Sequence, residues 1–277
     1  MQDSFITAVN LQRNTKNWMD ALGKNLTNIY TPGFREVKTN FNSFLNGSTL
    51  DDLYINMDQG KSTPGTSPEN VFLEGQGFFV VKNDENKMVY TRLGEFKFDE
   101  EGVYKTADGK EVQGYILNEN GEIMGANSAS GQDIASGDPT NGGVDGVPTT
   151  SIKLWIDPNN GKYLGKYEEF EIKEDGILYV KSDDGKVTVP LYKIAVMNFH
   201  NPSGLAESAP GEYVETVASG KPVAGRGDIR SGLIELSNVS TDDNITYYRM
   251  AKMQMDLANK LVSSNKSLLE EVVKLLS

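Results

Sequence analysis

The feature that most constrains this chain is a pair of amphipathic segments, one at each end. From Met1 to about Tyr30 there is one glycine, Gly23, and no proline. Ala8, Leu11, Thr15, Trp18, Leu22, Asn25 and Ile29 recur there at three- and four-residue spacing, widened by Phe5, Val9, Met19 and Leu26. This periodicity predicts a helix from about Asp3 to Asn28, ended by the breaker Thr31-Pro32-Gly33. From Ser240 to Ser277 there is neither glycine nor proline, and Asp242 and Asp243 suit the positive end of a helix dipole. Ala251, Gln254, Ala258, Leu261, Asn265, Leu268, Val272 and Leu275 form one stripe, and Tyr248, Met255, Val262, Leu269 and Leu276 a second at seven-residue steps. Isolated helices are marginal in water, so both must bury their stripes on each other, on the rest of the chain or on other chains. The C-terminal stripe is wider than one partner helix needs, which favours assembly over a simple hairpin.

Between the helices the pattern changes to short alternating runs. Phe78–Val81, Val89–Thr91, Glu95–Phe98, Val103–Thr106, Lys153–Ile156, Phe170–Ile172, Ile177–Val180, Val187–Val189 and Tyr192–Val196 read as strands separated by turns rich in Gly, Asp and Asn. Their spacing predicts an antiparallel sandwich or barrel. Residues 42–70 and 126–150 are polar and read as loops. The expected fold class is therefore α+β, with a central antiparallel β-rich domain between the N- and C-terminal helices.

Composition limits the chemistry. The 277 residues include no cysteine, one histidine (His200) and a net charge of −12. That excludes disulfides, thiolate metal sites, a thiol nucleophile and multi-histidine metal sites. The acidic surplus argues against nucleic acid and anionic membrane as partners. No apolar run is long enough for a membrane span, and no cleavable secretory signal is visible. Lack of cysteine by itself suggests a reducing compartment.

The short motifs favour structure over chemistry. Gly75-Gln76-Gly77 lacks the third glycine of a dinucleotide fingerprint, because Val80 stands in its place, and a strand follows it. Arg226-Gly227-Asp228 lies in a glycine-rich turn, and Asp157–Gly161 and Asp183–Gly185 fall short of a calcium loop and read as hairpin turns. His200, before Asn201-Pro202, has no nucleophile fixed beside it. No catalytic, cofactor-binding or metal-binding residue is assigned, no cofactor is expected, and the chain is not expected to be an enzyme.

Lys24-Asn25-Leu26-Thr27-Asn28-Ile29-Tyr30-Thr31-Pro32-Gly33-Phe34-Arg35 resembles the N-terminal signature of bacterial flagellar rod and hook proteins, with matches at Asn25, Leu26, Asn28, Thr31, Gly33, Phe34 and Arg35. Gln59-Gly60, Val71 to Val80 (with Gly75, Gly77, Phe78 and Phe79), Tyr90 to Phe96, Phe199 to Leu205 with Gly220-Lys221-Pro222, and Gly232 to Val239 (with Ser237 and Asn238) resemble further family blocks in the same order. The main departures are residues 125–165 and the C-terminal helix, where Gln254–Asn259 keeps little of the family pattern.

The resemblance implies a structural subunit, exported unfolded by the flagellar type III apparatus, which polymerises helically into the rod of the basal body. It implies that the N- and C-terminal helices pair as a coiled-coil-like stalk, forming a helical polymerisation domain (1–35 with 238–277), followed by a linker (36–70) and a β-rich domain (71–237) with an insertion at about 125–165. Leu11, Trp18, Leu22, Leu261, Leu268 and Leu275 would supply helix packing. Partners would be further copies of itself, other rod and hook proteins and the export apparatus, with no nucleic acid and no membrane insertion. Length favours a rod protein, distal more than proximal; a hook subunit is the alternative within the family, and a soluble β-rich binding module with a helical cap the alternative outside it. Residues 1–30 carry +1 and residues 240–277 carry zero net charge, so the acidity lies in the β domain and linkers.

Overall fold

The computed structural model describes residues 2–39, 53–118, 120–124, 149–154, 170–181, 188–225 and 227–276. The insertion expected at about 125–165 lies outside the described residues except for 149–154, and so do Arg226, the Asp157–Gly161 turn and the Asp183–Gly185 turn. The chain divides into two compact units. One comprises Met1–Tyr30, Arg35–Asn56 and Val239–Ser277; the other comprises Thr31–Phe34 and Met57–Asn238. The fold class is α+β.

In the first unit, helix α1 spans Gln2–Thr27 and helix α2 spans Thr241–Leu276. At 1.5 Å per residue they are about 39 and about 54 Å long. They run antiparallel. Asn25 near the end of α1 meets Asn244 near the start of α2, while Gln12 meets Asn259 further along. Trp18 and Leu22 pack on Ala251, flanked by Met19 and Tyr248. Thr15, Ala8 and Ala258 are also buried. Alanine at the contact positions lets the two backbones approach closely. At the start of α2 the Asp243 N–H donates to Ser240 Oγ at 3.4 Å, while Asp242 and Asp243 occupy the first turn. The antiparallel pair Val37–Thr39 and Leu53–Ile55 completes the unit.

The second unit is built on an antiparallel sheet. Its main path runs Phe170–Ile172, Ile177–Lys181, Thr188–Ile194, Glu111–Ile116, Phe78–Lys82, Met88–Thr91, Glu212–Val214 and Ala206–Ala209. One face is dominated by β-branched and aromatic side chains, including Val71, Phe79, Val81, Phe96, Tyr104, Val112, Leu178 and Ile194, all buried in one cluster. Two smaller pairings join distant parts of the chain: Val71–Gly75 with Gly227–Ser231, and Ser62–Pro64 with Leu233–Glu235.

Three local expectations are revised. Ser62–Pro64 and Leu53–Ile55 are strands inside the stretch expected to be a loop. Each is three residues long and is specified by a remote partner rather than by local alternation. Thr188–Ile194 is one strand where a break was expected before Tyr192. Pro190 sits opposite Tyr179 beside a register shift, where a residue without an N–H is tolerated. Of the strand expected at Lys153–Ile156, residues 155 and 156 lie outside the described residues; the strand observed nearby is Thr150–Ser151, Lys153 makes a single bridge to Val103, and Ile152 and Leu154 are buried in the core.

Candidate assembly surface

The polar residues of the first helix explain how it ends and where the chain goes next. Asn25 is fully buried. Its Oδ1 accepts the Val37 N–H at 2.9 Å, and its Nδ2 donates to the Val37 carbonyl at 2.8 Å and to Asn244 Oδ1 at 2.9 Å. Asn244 Nδ2 in turn donates to Glu36 Oε1 at 2.6 Å and to the Ser240 carbonyl at 2.8 Å. Asn56 Nδ2 donates to Glu36 Oε2 at 3.4 Å. One buried chain of hydrogen bonds therefore links α1, the strand Val37–Thr39, α2 and Asn56. Asn28 Nδ2 caps the Lys24 carbonyl at 2.9 Å, while Leu26 is half-buried.

The breaker after α1 belongs to the second unit. Gly33 has φ +69°, and a side chain there would meet Leu93 N at 2.5 Å and Arg92 C at 2.6 Å. Its N–H donates to the Glu235 carbonyl at 2.8 Å. Phe34 is fully buried, its N–H donates to the Thr31 carbonyl and its carbonyl accepts the Asn238 N–H, both at 3.3 Å. Asn238 Nδ2 donates to the Asp58 carbonyl at 2.7 Å. Segments 31–34, 58–61 and 232–238 are thus stitched together.

At this junction Glu235 is buried with Arg92. Its Oε1 accepts the Gly60 N–H at 2.7 Å, and its Oε2 lies 3.4 Å from Arg92 Nη1. Arg92 also donates to the carbonyls of Leu73 at 3.0 Å and Gly75 at 2.5 Å. A buried charge pair is costly unless its other donors and acceptors are met, and these backbone groups meet Glu235 Oε1 and both terminal nitrogens of Arg92. Glu235, Arg92, Glu36 and Asn244 were not singled out by their sequence context. The one available signal is a charge closing an apolar strand, as Glu235 does after Leu233-Ile234.

The other motif residues act in the second unit. Gly75 and Gly77, with φ of 110° and 130°, make the turn into the strand Phe78–Lys82, so this G-x-G leads into a strand and not a helix. Phe78 stands edge-on to Phe199 and Tyr213, and Phe79 edge-on to Phe96. Gly232 has φ of 75°, while Ser237 and Val239 are half-buried. His200 is exposed.

The expected packing stripe divides. Trp18 and Leu22 face α2, and Leu11 is half-buried. Leu261 and Leu268 instead face solvent, and the Leu275 side chain lies outside the described residues. Together with Met250, Met253 (69% exposed) and Leu257 (59% exposed), they form an apolar line along α2, roughly a quarter to a third of a turn away from the α1-facing line of Asn244, Ala251 and Ala258. The line continues into a 430 Å³ groove bordered by Trp18, Leu22, Val37, Tyr54, Tyr247 and Met250. The pairing of Asn25 with Asn244 and of Gln12 with Asn259 brings the start of α1 opposite about residue 268, so the last two turns of α2, with Leu269 and Val273 exposed, extend beyond α1.

Comparison with known proteins agrees with this architecture. The family model described as "Flagellar hook protein FlgE/F/G D1 domain" matches residues 72–189. The flagellar basal-body rod protein FlgG of Borreliella burgdorferi is 22% identical, over 91% of this chain and 90% of the relative. The FlgG of Bacillus subtilis is 23% identical over 99% of both chains. The flagellar hook protein FlgE of Borreliella burgdorferi is 31% identical over 71% of this chain and 47% of its own length. With a β-unit match to the family model and end-to-end alignment to rod proteins, the chain belongs to the flagellar rod and hook protein family, a family of structural flagellar subunits.

Proposed function

We propose that this chain is a subunit of the flagellar basal-body rod, polymerising helically into the shaft that transmits torque and encloses the export channel. Residues 1–35 and 238–277 form the inner polymerisation layer as a coiled-coil-like pair, 36–70 the linker and 71–237 the outer β layer. The subunit reaches the envelope unfolded, through the flagellar export apparatus, and binds further copies of itself and neighbouring rod and hook proteins. It performs no catalysis.

The observation that carries this reading is the exposed line Met250–Met253–Leu257–Leu261–Leu268 on a helix whose neighbouring face is already buried against α1. Contiguous exposed apolar surface of this kind marks interfaces. In a filament each copy presents the same surface in the same setting, and a head-to-tail contact that does not close into a ring propagates. Replacing Leu257 and Leu261 by glutamate should leave the monomer's circular dichroism unchanged and abolish helical polymers in negative-stain images. Polymers that persist in this variant would remove the basis of the reading.

A hook subunit is the second reading, favoured by the 31% identity to a hook protein. A hook protein of Rhizobium meliloti is also aligned over 97% of this chain and 98% of its own length, but across 397 positions against 305 for the rod protein of Bacillus subtilis, and this match in length weighs towards the rod. Labelling the subunit in isolated basal bodies separates the two by position.

A further inference from the structure

The apolar surface of α2 repeats every seven residues. A slip of α2 along α1 by one heptad would bring Ala258 to the place of Ala251 opposite Trp18, and Met255 to the place of Tyr248. Further along, Leu269 would replace Val262, but Asn265 would take the buried place of Ala258. The exchanges at the Trp18 contact are apolar for apolar and similar in kind, so side-chain packing there distinguishes the two registers poorly. Small alanines at the buried positions weaken the discrimination further, because they offer no shape to interlock.

Two buried positions break the repeat: the slip takes Asn244 out of its place and puts Asn265 in the place of Ala258. Asn244, Ala251 and Ala258 occupy the same face of α2 at heptad spacing, and all three are buried. Only Asn244 can answer Asn25 Nδ2 and Glu36 Oε1, at 2.9 and 2.6 Å. In the slipped register Ala251 would stand there, and both groups would be buried against a methyl group. A buried polar atom that loses its partner is costly, whereas the slipped packing around Trp18 costs little. We infer that the Asn25–Asn244–Glu36 network fixes the register of the two terminal helices, and that Asn244 is the residue that selects it. This is independent of whether the chain builds rod or hook. The register also decides which α2 side chains α1 covers and which it leaves outward, so it sets the pattern presented to any partner.

The absence of native cysteine makes the register directly measurable. Gln12 lies against Asn259 in the observed register, with Nε2 to Oδ1 at 2.7 Å, and would lie against Lys266 after a one-heptad slip. Two full-length variants, both with Asn265→Ala so that no asparagine enters the place of Ala258, carry Gln12→Cys with either Asn259→Cys or Lys266→Cys, and a short bismaleimide is applied at dilution low enough to suppress links between molecules. Linking of 12 to 259 should exceed linking of 12 to 266 by about tenfold, and Asn244→Ala should bring the two within about threefold. Glu36→Gln keeps an acceptor oxygen for Asn244 and should retain the original preference. A preference that survives Asn244→Ala overturns the inference. So does loss of both links in Asn244→Ala, because the residue would then be needed for pairing itself and not for its register.

Discussion

Asn25 and Val37 form a closed pair: the side-chain amide of one accepts the backbone N–H of the other and donates to its carbonyl, at 2.9 and 2.8 Å. A side chain here does what a neighbouring strand does in a sheet. It satisfies both backbone groups of the first residue of Val37–Thr39 on the side of α1. The chain can therefore leave the helix and start a strand without orphaned polar groups.

Asn25→Ala leaves the Val37 N–H, the Val37 carbonyl and Asn244 Oδ1 without these partners. It should destabilise the helical unit by about 1–3 kcal/mol. Hydrogen exchange should accelerate across residues 15–27 and 241–258, while the strand Phe78–Lys82 keeps its protection. Equal loss of protection in both units would contradict this local role.

Gly33→Ala meets two obstacles, a left-handed backbone and the Leu93 main chain at 2.5 Å. The conformation alone costs on the order of 1–3 kcal/mol, and the clash adds to it. The same change at Gly232 meets only the first, since its surroundings are open despite a φ of +75°. Thermal melting should rank the variants with Gly33→Ala the more damaging.

Removing one member of the Arg92–Glu235 pair strands the other charge in the interior. Arg92→Ala or Glu235→Ala should each cost about 3–5 kcal/mol in denaturant unfolding of the β unit. Replacing both together should cost less than the two single effects combined. Additive losses would mean the two side chains act separately.

Asp99 sits in the turn between Phe96–Phe98 and Tyr104–Thr106. Partial burial pushes its carboxyl up, but Lys105 at 2.6 Å and the N–H groups of Val103 and Glu101 outweigh this and hold it below its ordinary value. A lowered carboxyl stabilises the fold above its unfolded value and ceases to do so as pH falls through the folded one. The hairpin should therefore loosen only on acidification below the ordinary carboxylate range. Asp99→Asn should flatten this part of the acid profile in hydrogen exchange of Val103 and Tyr104.

Much of this arrangement was legible in the sequence. Two glycine-poor, periodic ends gave α1 and α2 within a residue or two, because a helical stripe is a local signal. The Thr31-Pro32-Gly33 stop was legible because it too is a local signal. Ser62–Pro64 was not, because its identity as a strand resides in Leu233–Glu235, some 170 residues away. The partners of Asn25 were equally hidden. Nothing near Asn244 or Glu36 in the chain marks them as buried, and only the antiparallel pairing brings them together. The exposure of Leu261 and Leu268 turns on which side of a wide stripe α1 covers, and periodicity does not choose a side.

The buried apolar surface shared by the two helices is modest: Trp18 and Leu22 set against Ala251, flanked by Met19 and Tyr248. Isolated helices are marginal in water, so the order of the helical unit rests on this contact and on the hydrogen bonds around Asn25 and Asn244. Any partner that covers Met253 or Leu257 adds to that support and draws the unit towards its folded form in proportion to its own concentration. Under the proposed polymerisation, ordering of the termini and growth of the polymer are coupled in this way.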